Sequence, residues 1–230
     1  SAHSDTFATG TYRFNHGNFT GPSRYLYYKS SNLKNNIVDP VLEASVNFPR
    51  NKMSQIARAK VFDMSGIQHL KLKEDQSFMT QAIFLAQESA NKGEVPVGAL
   101  VVYEGTVVGQ GANNKENKQC ATNHAEIIAI EQASTKINSW RLSECTLYVT
   151  LEPCLMCAGA LQQARIKRLV FGAFDPKGGA CGSLYSIHDD RRLNHCFPVI
   201  GGVMEVECSQ ILKKFFSNLR NKKKIKKKTE

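Results

Sequence analysis

Two short motifs constrain the fold of this chain more than any other feature. The first is His-Ala-Glu at residues 124–126, and the second is Pro-Cys-Leu-Met-Cys at residues 153–157. Each motif follows a strand-like segment and stands where a helix is predicted to begin. One imidazole and two thiolates can hold a zinc ion and leave its fourth position open for water. We therefore expect a fold in which two helix starts meet around one metal ion.

The local sequence around both motifs suits metal-binding helix starts. Cys154 and Cys157 are three residues apart, so that on a helix they lie on the same face. Pro153 fits the first helical turn, where its missing N–H leaves no hydrogen bond unmade. Thiols at a helix N-terminus also ionise more readily than free thiols. Asn123 is predicted to cap the helix that begins near His124.

Glu126 lies two residues from the imidazole and is the candidate catalytic residue. A zinc ion with three protein ligands lowers the pKa of a bound water from 15.7 to about 7, which makes hydroxide available at neutral pH. A carboxylate that moves protons in such a site is typically worth a factor of about 10²–10⁴ in rate. We predict one zinc ion per chain, held by His124, Cys154 and Cys157, with Glu126 as the proton shuttle.

Each part of this pattern also has a structural interpretation. Asn123 and Glu126 have the spacing of a capping box, in which Glu126 only ties back the helix start. The Cys-x-x-Cys pair has the spacing of a redox pair or of half a structural zinc site. A structural zinc would recruit a fourth protein ligand, for which Cys120 and Cys181 are candidates. The occurrence of both motifs together favours the catalytic site.

Charge divides the chain into three parts. Residues 1–63 carry eight basic and four acidic groups, residues 64–212 carry 13 and 15, and residues 213–230 carry nine and one. The basic C-terminal block predicts a polyanionic partner. Residues 1–63 show no sustained helical or strand period, so that we expect a poorly ordered extension. The folded domain is expected at residues 64–220 and a basic tail at 221–230.

Composition argues against a membrane protein and against a disulfide scaffold. No run of about 18 apolar residues is present, so that no transmembrane span is predicted. The seven cysteines are scattered, which fits a reducing compartment better than a disulfide framework. The first residues do not resemble a secretory signal. We expect a cytoplasmic protein, or an organellar one if residues 1–63 are a targeting segment.

The periodicity of apolar residues predicts an α/β fold. Strands that alternate with helices favour a layered sheet with partly parallel pairing. Helices are predicted from Asp75 to a stop at Gly93, and over residues 123–136, 155–165 and 209–219. Strands are predicted as a hairpin over residues 99–110, and over residues 145–151, 168–173 and 199–206. The last helix is amphipathic and runs into the basic residues 222–228.

Longer stretches around the motifs resemble those of the bacterial-type tRNA-specific adenosine deaminases. They are Glu-Val-Pro-Val-Gly-Ala at 94–99, His-Ala-Glu-Ile at 124–127, Tyr-Val-Thr-Leu-Glu-Pro-Cys at 148–154, Cys-Ala-Gly-Ala at 157–160, Phe-Gly-Ala at 171–173 and Gly-Ser-Leu at 182–184. His-x-Glu followed by Pro-Cys-x-x-Cys is itself the signature of zinc-dependent nucleobase deaminases. The resemblance covers about residues 72–220. It implies a cytidine deaminase-like three-layer α/β/α fold with a central mixed sheet, a homodimer, and conversion of adenosine to inosine at the wobble position of a tRNA anticodon.

The same resemblance implies which residues contact the substrate. Asn113 stands where the family has a side chain of the base pocket. Three apolar residues stand where the family has the walls of that pocket, namely Pro96, Val97 and Leu151. The positions at which the family contacts the anticodon stem-loop correspond here to Asp175, Phe216 and Arg220. The zinc ligands and the proton shuttle fall on the four residues already predicted for them.

Two positions depart from the pattern of this family. Cys-Ala-Thr-Asn stands at residues 120–123, where the family often has Asp-Pro-Thr-Ala, and Phe174 stands where it often has Arg. The first departure affects the loop before His124. The second removes a potential phosphate contact beside Asp175. Neither touches the predicted metal ligands.

Two other functions remain open from the sequence. The first is a deaminase of a free base or nucleotide, such as cytosine, guanine or a pterin-like ring, because its zinc chemistry would be the same. The second is a non-catalytic, zinc-stabilised RNA-binding module. The basic C-terminal helix favours RNA over a free base, and the presence of Glu126 argues against a non-catalytic module.

Overall fold

A computed structural model describes residues 25–27 and 64–229. The strands are β1 (Tyr25–Tyr27), β2 (Gly98–Tyr103), β3 (Thr106–Ala112), β4 (Thr146–Leu151), β5 (Arg168–Ala173) and β6 (Val199–Gly201). The helices are α1 (Met64–Asn91), α2 (Lys115–Lys118), α3 (Ala125–Ile137), α4 (Leu155–Gln163) and α5 (Glu205–Thr229). The remainder of the predicted N-terminal extension, residues 1–24 and 28–63, lies outside the described residues.

The strands form one mixed sheet in the order β1-β6-β5-β4-β2-β3. β1, β6, β5 and β4 are parallel to one another, and β2 is antiparallel to both β4 and β3. Because β2 runs against β4, the start of β2 lies at the same edge as the end of β4. The predicted mixed sheet and the predicted hairpin are both confirmed.

Helices cover both faces of the sheet, so that the predicted three layers are present. Along β4, Leu147 and Val149 pack in one core with α3 and α4, while Tyr148 points to the other core with α1 and α5. The interior positions of β4 and β5 are all buried, as expected for parallel strands covered on both sides. Among the residues that the structure describes, no helix combines the length and apolar composition that a membrane crossing requires.

Two glycines allow α3 to approach β3 very closely. A Cβ atom on Gly111 would lie 2.1 Å from the carbonyl oxygen of Ala125, and one on Gly109 would lie 2.2 Å from that of Ala129. Since real Cβ atoms essentially never come so near, only glycine permits this contact. The first turn of α3 is thereby fixed against the end of β3.

Several boundaries differ from the prediction. α1 begins at Met64 rather than at Asp75. The regular spacing of apolar residues predicts only the part of the helix that packs against the sheet. β6 ends at Gly201, because Gly202 has a φ of +86° that leaves the strand conformation. α5 spans Glu205–Thr229 and exceeds the predicted helix at both ends. Tyr25–Tyr27 form an edge strand where no order was expected.

Candidate metal centre and active site

The three predicted ligands meet at the edge where β4 ends. The Nδ1 atom of His124 lies 3.7 Å from the Sγ atom of Cys154 and 3.6 Å from that of Cys157. All three candidate ligand atoms lie within 4.8 Å of one another. Tetrahedral zinc with Zn–N and Zn–S bonds of about 2.1 and 2.3 Å would separate nitrogen and sulfur by about 3.6 Å. The donor set and its spacing therefore fit a zinc ion.

The group contains three protein donors rather than four. Within residues 64–229, the cluster that can hold a metal consists of His124, Cys154 and Cys157 alone. Cys181 is buried nearby and Cys120 is exposed, but neither belongs to the cluster. Three donors leave one position of a tetrahedral ion free, as in catalytic rather than structural zinc sites.

Both halves of the cluster stand at helix starts, as predicted, but Asn123 is not the cap. His124 is the N-cap of α3, with the extended backbone that such a position adopts, and its carbonyl accepts the N–H of Ile128 at 3.1 Å. The side chain of Asn123 instead donates to the carbonyl oxygen of Asn114 at 3.1 Å and closes the loop before α3. Glu126 is consequently one position too early in the helix for a capping box.

Hydrogen bonding shifts the pKa values of the two thiols in opposite directions. A hydrogen bond from Cys157, and a further one from His124, lower the pKa of the Cys154 thiol to about 4 against the opposing effect of burial. The hydrogen bond to Cys154 raises the pKa of Cys157, and burial adds to this effect. Cys154 is thus anionic at neutral pH and attracts a cation. A coordinated metal would deprotonate the second thiol as well.

Glu126 lies beside the ligands and is only 4% exposed. Burial raises the pKa of its carboxyl group to about 6, and the negative charge of Cys154 adds to the shift. A carboxyl group with a pKa near the working pH accepts and releases protons readily. The position and the pKa of Glu126 both suit a general acid and base.

The predicted residues of the base pocket border the same edge of the sheet. Pro96 and Val97 are buried just before β2, Leu151 is the last residue of β4, and Asn113 is buried just after β3. The backbone N–H of Asn113 donates to the carbonyl oxygen of Val97 at 2.9 Å. The side-chain amide of Asn113 donates to Glu94 at 3.4 Å. The fold therefore brings these four residues to the end of β4 that carries the metal ligands.

The three residues predicted to grip the RNA are more widely spread. Asp175 follows β5 directly, and its side chain is partly exposed. Phe216 is 42% exposed and Arg220 is exposed, both on α5. Because α5 packs on the face of the sheet opposite α3 and α4, these two residues belong to a different layer from the metal ligands.

Sequence reasoning missed two buried carboxylates that organise the loops of the site. Glu94 accepts hydrogen bonds from the backbone N–H groups of Glu116 and Asn117, at 3.2 and 2.7 Å, and so holds the short helix α2. Glu152 precedes the Pro-Cys motif and accepts hydrogen bonds from the loop after β5. Each stood inside a motif that matched the family, but the hydrogen-bond partners are 19 or more residues away, so that no local signal revealed the role.

Comparison with known proteins agrees with this geometry. The sequence profile of the MafB19-like deaminase family matches residues 73–220. The tRNA-specific adenosine deaminase of Bacillus subtilis strain 168 is 45% identical over 153 residues, which are 66% of this chain and 95% of that protein. That of Haemophilus influenzae is 47% identical over 154 residues, 66% of this chain and 89% of that protein.

A solved structure extends the similarity to three dimensions. It comes from a study of A-to-I editing by tRNA:A34 deaminases at the wobble position of transfer RNA, and its chain is 40% identical to this one. It superposes with a TM-score of 0.58 and covers 59% of this chain and 99% of its own. The predicted cytidine deaminase-like fold is confirmed. Since the family profile spans more than half of the chain and the relatives match over nearly their whole length, the chain belongs to the MafB19-like deaminases and, among them, to the tRNA-specific adenosine deaminase family.

Proposed function

We propose that this protein converts adenosine to inosine at the wobble position of a tRNA anticodon by hydrolytic deamination. The observation that carries the proposal is the His124, Cys154 and Cys157 cluster with the buried carboxylate of Glu126 beside it. It lies in a domain that is 45% identical to a tRNA-specific adenosine deaminase over 95% of that protein. An anticodon loop is already single-stranded, which limits the unstacking cost of presenting adenine to a few kcal/mol.

The metal in this proposal is one zinc ion per chain, held by His124, Cys154 and Cys157. Zinc supplies a water molecule whose pKa is lowered to about 7. Glu126 accepts the two protons of the attacking water in turn, and it passes the first to the purine ring and the second to the leaving amine. The amine departs as ammonia, and the water oxygen becomes the 6-oxo group of inosine. The pKa of about 6 allows the Glu126 carboxyl group to serve in both directions near neutral pH.

The remaining predicted residues hold the RNA in this scheme. Asn113 contacts the base through its side chain, while Pro96, Val97 and Leu151 form the apolar walls of the pocket. Their position beside the metal ligands supports these roles. Three side chains bind the anticodon stem-loop, namely Asp175, Phe216 and Arg220. Their exposure to solvent supports this role, because a residue that binds RNA must be accessible. The active form is a homodimer. The reaction takes place in the cytoplasm, or in an organelle if residues 1–63 are a targeting segment.

The decisive experiment is incubation of the protein with unmodified tRNAs, followed by sequencing for adenosine-to-inosine changes. We expect conversion at the wobble position of tRNAs that carry adenosine there. An anticodon stem-loop with deoxyribose in the loop should react more slowly, because the 2′-OH distinguishes RNA from DNA. Faster turnover of free adenosine, cytidine or guanine would instead identify a free-base deaminase, and zinc binding without turnover of any substrate would identify a binding module.

A further inference from the structure

We propose that Glu152 is a positioning residue that fixes the segment of residues 175–183 against the metal-binding turn and thereby sets the affinity for RNA. The inference rests on the proposed function, because it takes this segment to face the RNA. Glu152 is 2% exposed and immediately precedes the Pro-Cys motif. A carboxylate so deeply buried is stable only if hydrogen bonds compensate for its loss of solvation.

The segment 175–183 supplies that compensation. Oε1 of Glu152 accepts the backbone N–H groups of Cys181 and Ser183 at 3.0 and 2.9 Å. Oε2 accepts the backbone N–H of Asp175 at 3.0 Å and the hydroxyl group of Ser183. An ionised carboxylate offers about four acceptor sites, and all four are in use. Both ends of the segment are therefore tied to one side chain.

The same segment is joined directly to the turn that carries Cys154. The backbone N–H of Ala180 donates to the carbonyl oxygen of Pro153 at 2.8 Å, and Gly179 forms a β-bridge with Cys154. A Cβ atom on Gly179 would lie 2.3 Å from the carboxyl carbon of Glu152, so that the backbone passes directly over the carboxylate. The segment therefore lies directly against the turn that carries Cys154.

The geometry assigns Glu152 a different task from that of Glu126. With four donors on its two oxygens, Glu152 has no acceptor site left for a proton from the substrate. The segment that it holds begins with the partly exposed Asp175 and leads into Leu184 and Tyr185, each 52% exposed. The backbone N–H of Leu184 donates to the carbonyl oxygen of Gly179, the residue that bridges to Cys154, at 3.0 Å. This surface therefore borders the turn of Cys154, and under the proposed function it faces the RNA loop. Glu152 therefore acts through the segment and not on the reacting atoms.

The test is Glu152→Gln, which keeps the size of the side chain but turns one acceptor oxygen into a donor. We expect KM for an anticodon stem-loop to rise by about tenfold or more, the effect of losing one charge-assisted hydrogen bond. The value of kcat and the zinc content should stay near those of the unchanged protein. Backbone amides of Cys181 and Ser183 should also exchange with solvent faster.

Two further variants keep the test decisive if Glu152→Gln fails to fold. Ser183→Ala removes only the hydroxyl donor, and it should raise KM in the same direction by a smaller factor. Glu144→Gln is the matched control, because Glu144 is an exposed residue that precedes β4 at its other end, and it should change neither KM nor amide exchange.

Two results would overturn the inference. One is a loss of zinc and of kcat in Glu152→Gln and Ser183→Ala with KM unchanged. This result would mean that the hydrogen bonds of Glu152 stabilise the metal site and do not affect RNA binding. The other is unchanged KM and unchanged amide exchange in both variants. Failure of the proposed function is recognised separately, because the unchanged protein would then not deaminate tRNA at all, while amide exchange would still report whether Glu152 anchors the segment.

Discussion

The two ends of the central strands carry buried polar clusters of opposite character. Near the start of β5, Asp75 accepts hydrogen bonds from the hydroxyl group of Tyr148 at 2.8 Å and from the guanidinium of Arg168 at 2.6 and 3.1 Å. Arg168 also donates to the Tyr148 oxygen at 2.9 Å. At the end of β4, the metal-binding atoms of His124 and its two cysteine partners converge without a fourth protein ligand among the described residues.

The protonation states of the two clusters also differ. Burial raises the pKa of the Tyr148 phenol, and the Asp75 carboxylate raises it further, so that Tyr148 keeps its proton and remains a donor. At the other end, hydrogen bonds lower the pKa of the Cys154 thiol to about 4. Groups that satisfy one another stabilise the fold, whereas groups that converge with a position left open create a site for a ligand. Damage to the first cluster should therefore reduce stability, and damage to the second should reduce activity.

The largest effect on activity should come from removal of the metal. Treatment with a chelator, or the substitution Cys157→Ala, should abolish deamination while the sheet stays folded. Metal analysis should find about one zinc per chain, and X-ray absorption should find one nitrogen and two sulfur ligands from the protein. Cys120→Ser is the control and should keep both zinc and activity, because Cys120 is exposed and outside the cluster. Four protein ligands would contradict the open site.

Replacing the proton shuttle should have the next largest effect. Glu126→Ala should lower kcat by a factor of about 10²–10⁴ with fold and zinc content retained. The exposed Glu131 on the same helix provides the control, and Glu131→Ala should stay close to the original rate. Activity of Glu126→Ala near that of the unchanged protein would refute the assigned role, and unfolding of this variant would point to a structural carboxylate.

At the opposite end of the strands, we expect a loss of stability instead. Arg168→Met leaves the buried charge of Asp75 without its partner and should lower the free energy of unfolding by about 3–5 kcal/mol. Well below the melting temperature, kcat and zinc content should be unchanged. The neighbouring variant Lys167→Met breaks only an exposed ion pair with Glu144 and should cost about 0–1 kcal/mol. Chemical denaturation of both variants measures the difference.

The smallest effect is expected from the basic tail. Removing residues 221–230 deletes six lysines and one glutamate. Turnover at saturating RNA should survive, since the truncation touches neither polar cluster. If three lysines contact phosphate, the log–log dependence of affinity on salt should flatten by roughly two units. Affinity for tRNA measured over a range of salt concentrations tests this, and an unchanged slope would exclude the tail from the RNA interface.

The convergence of His124, Cys154 and Cys157 could be predicted because the signal in each half of the group is local. The spacing of Cys154 and Cys157, the preceding Pro153 and the buried strand β4 are all contained in one short stretch. The hairpin of β2 and β3 was predictable for the same reason, since its turn residues lie next to its strands. Where a feature depends only on near neighbours in the chain, sequence patterns were sufficient.

The errors concern contacts between distant residues. Asn123 has the side chain of a good helix cap, but its amide bonds to Asn114 across a loop, and the helix begins one residue later. α2 is only four residues long with no buried residue, and no apolar period marks it. The partners of Glu152 lie 23 to 31 residues further along the chain. Such pairings depend on how the sheet brings loops together, which periodicity does not encode.

The close contact between β3 and α3 limits how this protein can be engineered. Replacing glycine by alanine is a common route to thermostability, because it restricts the unfolded chain. At Gly111 the added methyl group would collide with the carbonyl oxygen of Ala125, the residue next to His124. The helix would have to retreat from the strand and carry the imidazole away from the two sulfur atoms. At Gly111 this route would therefore lower stability and also disturb the geometry of the candidate metal site.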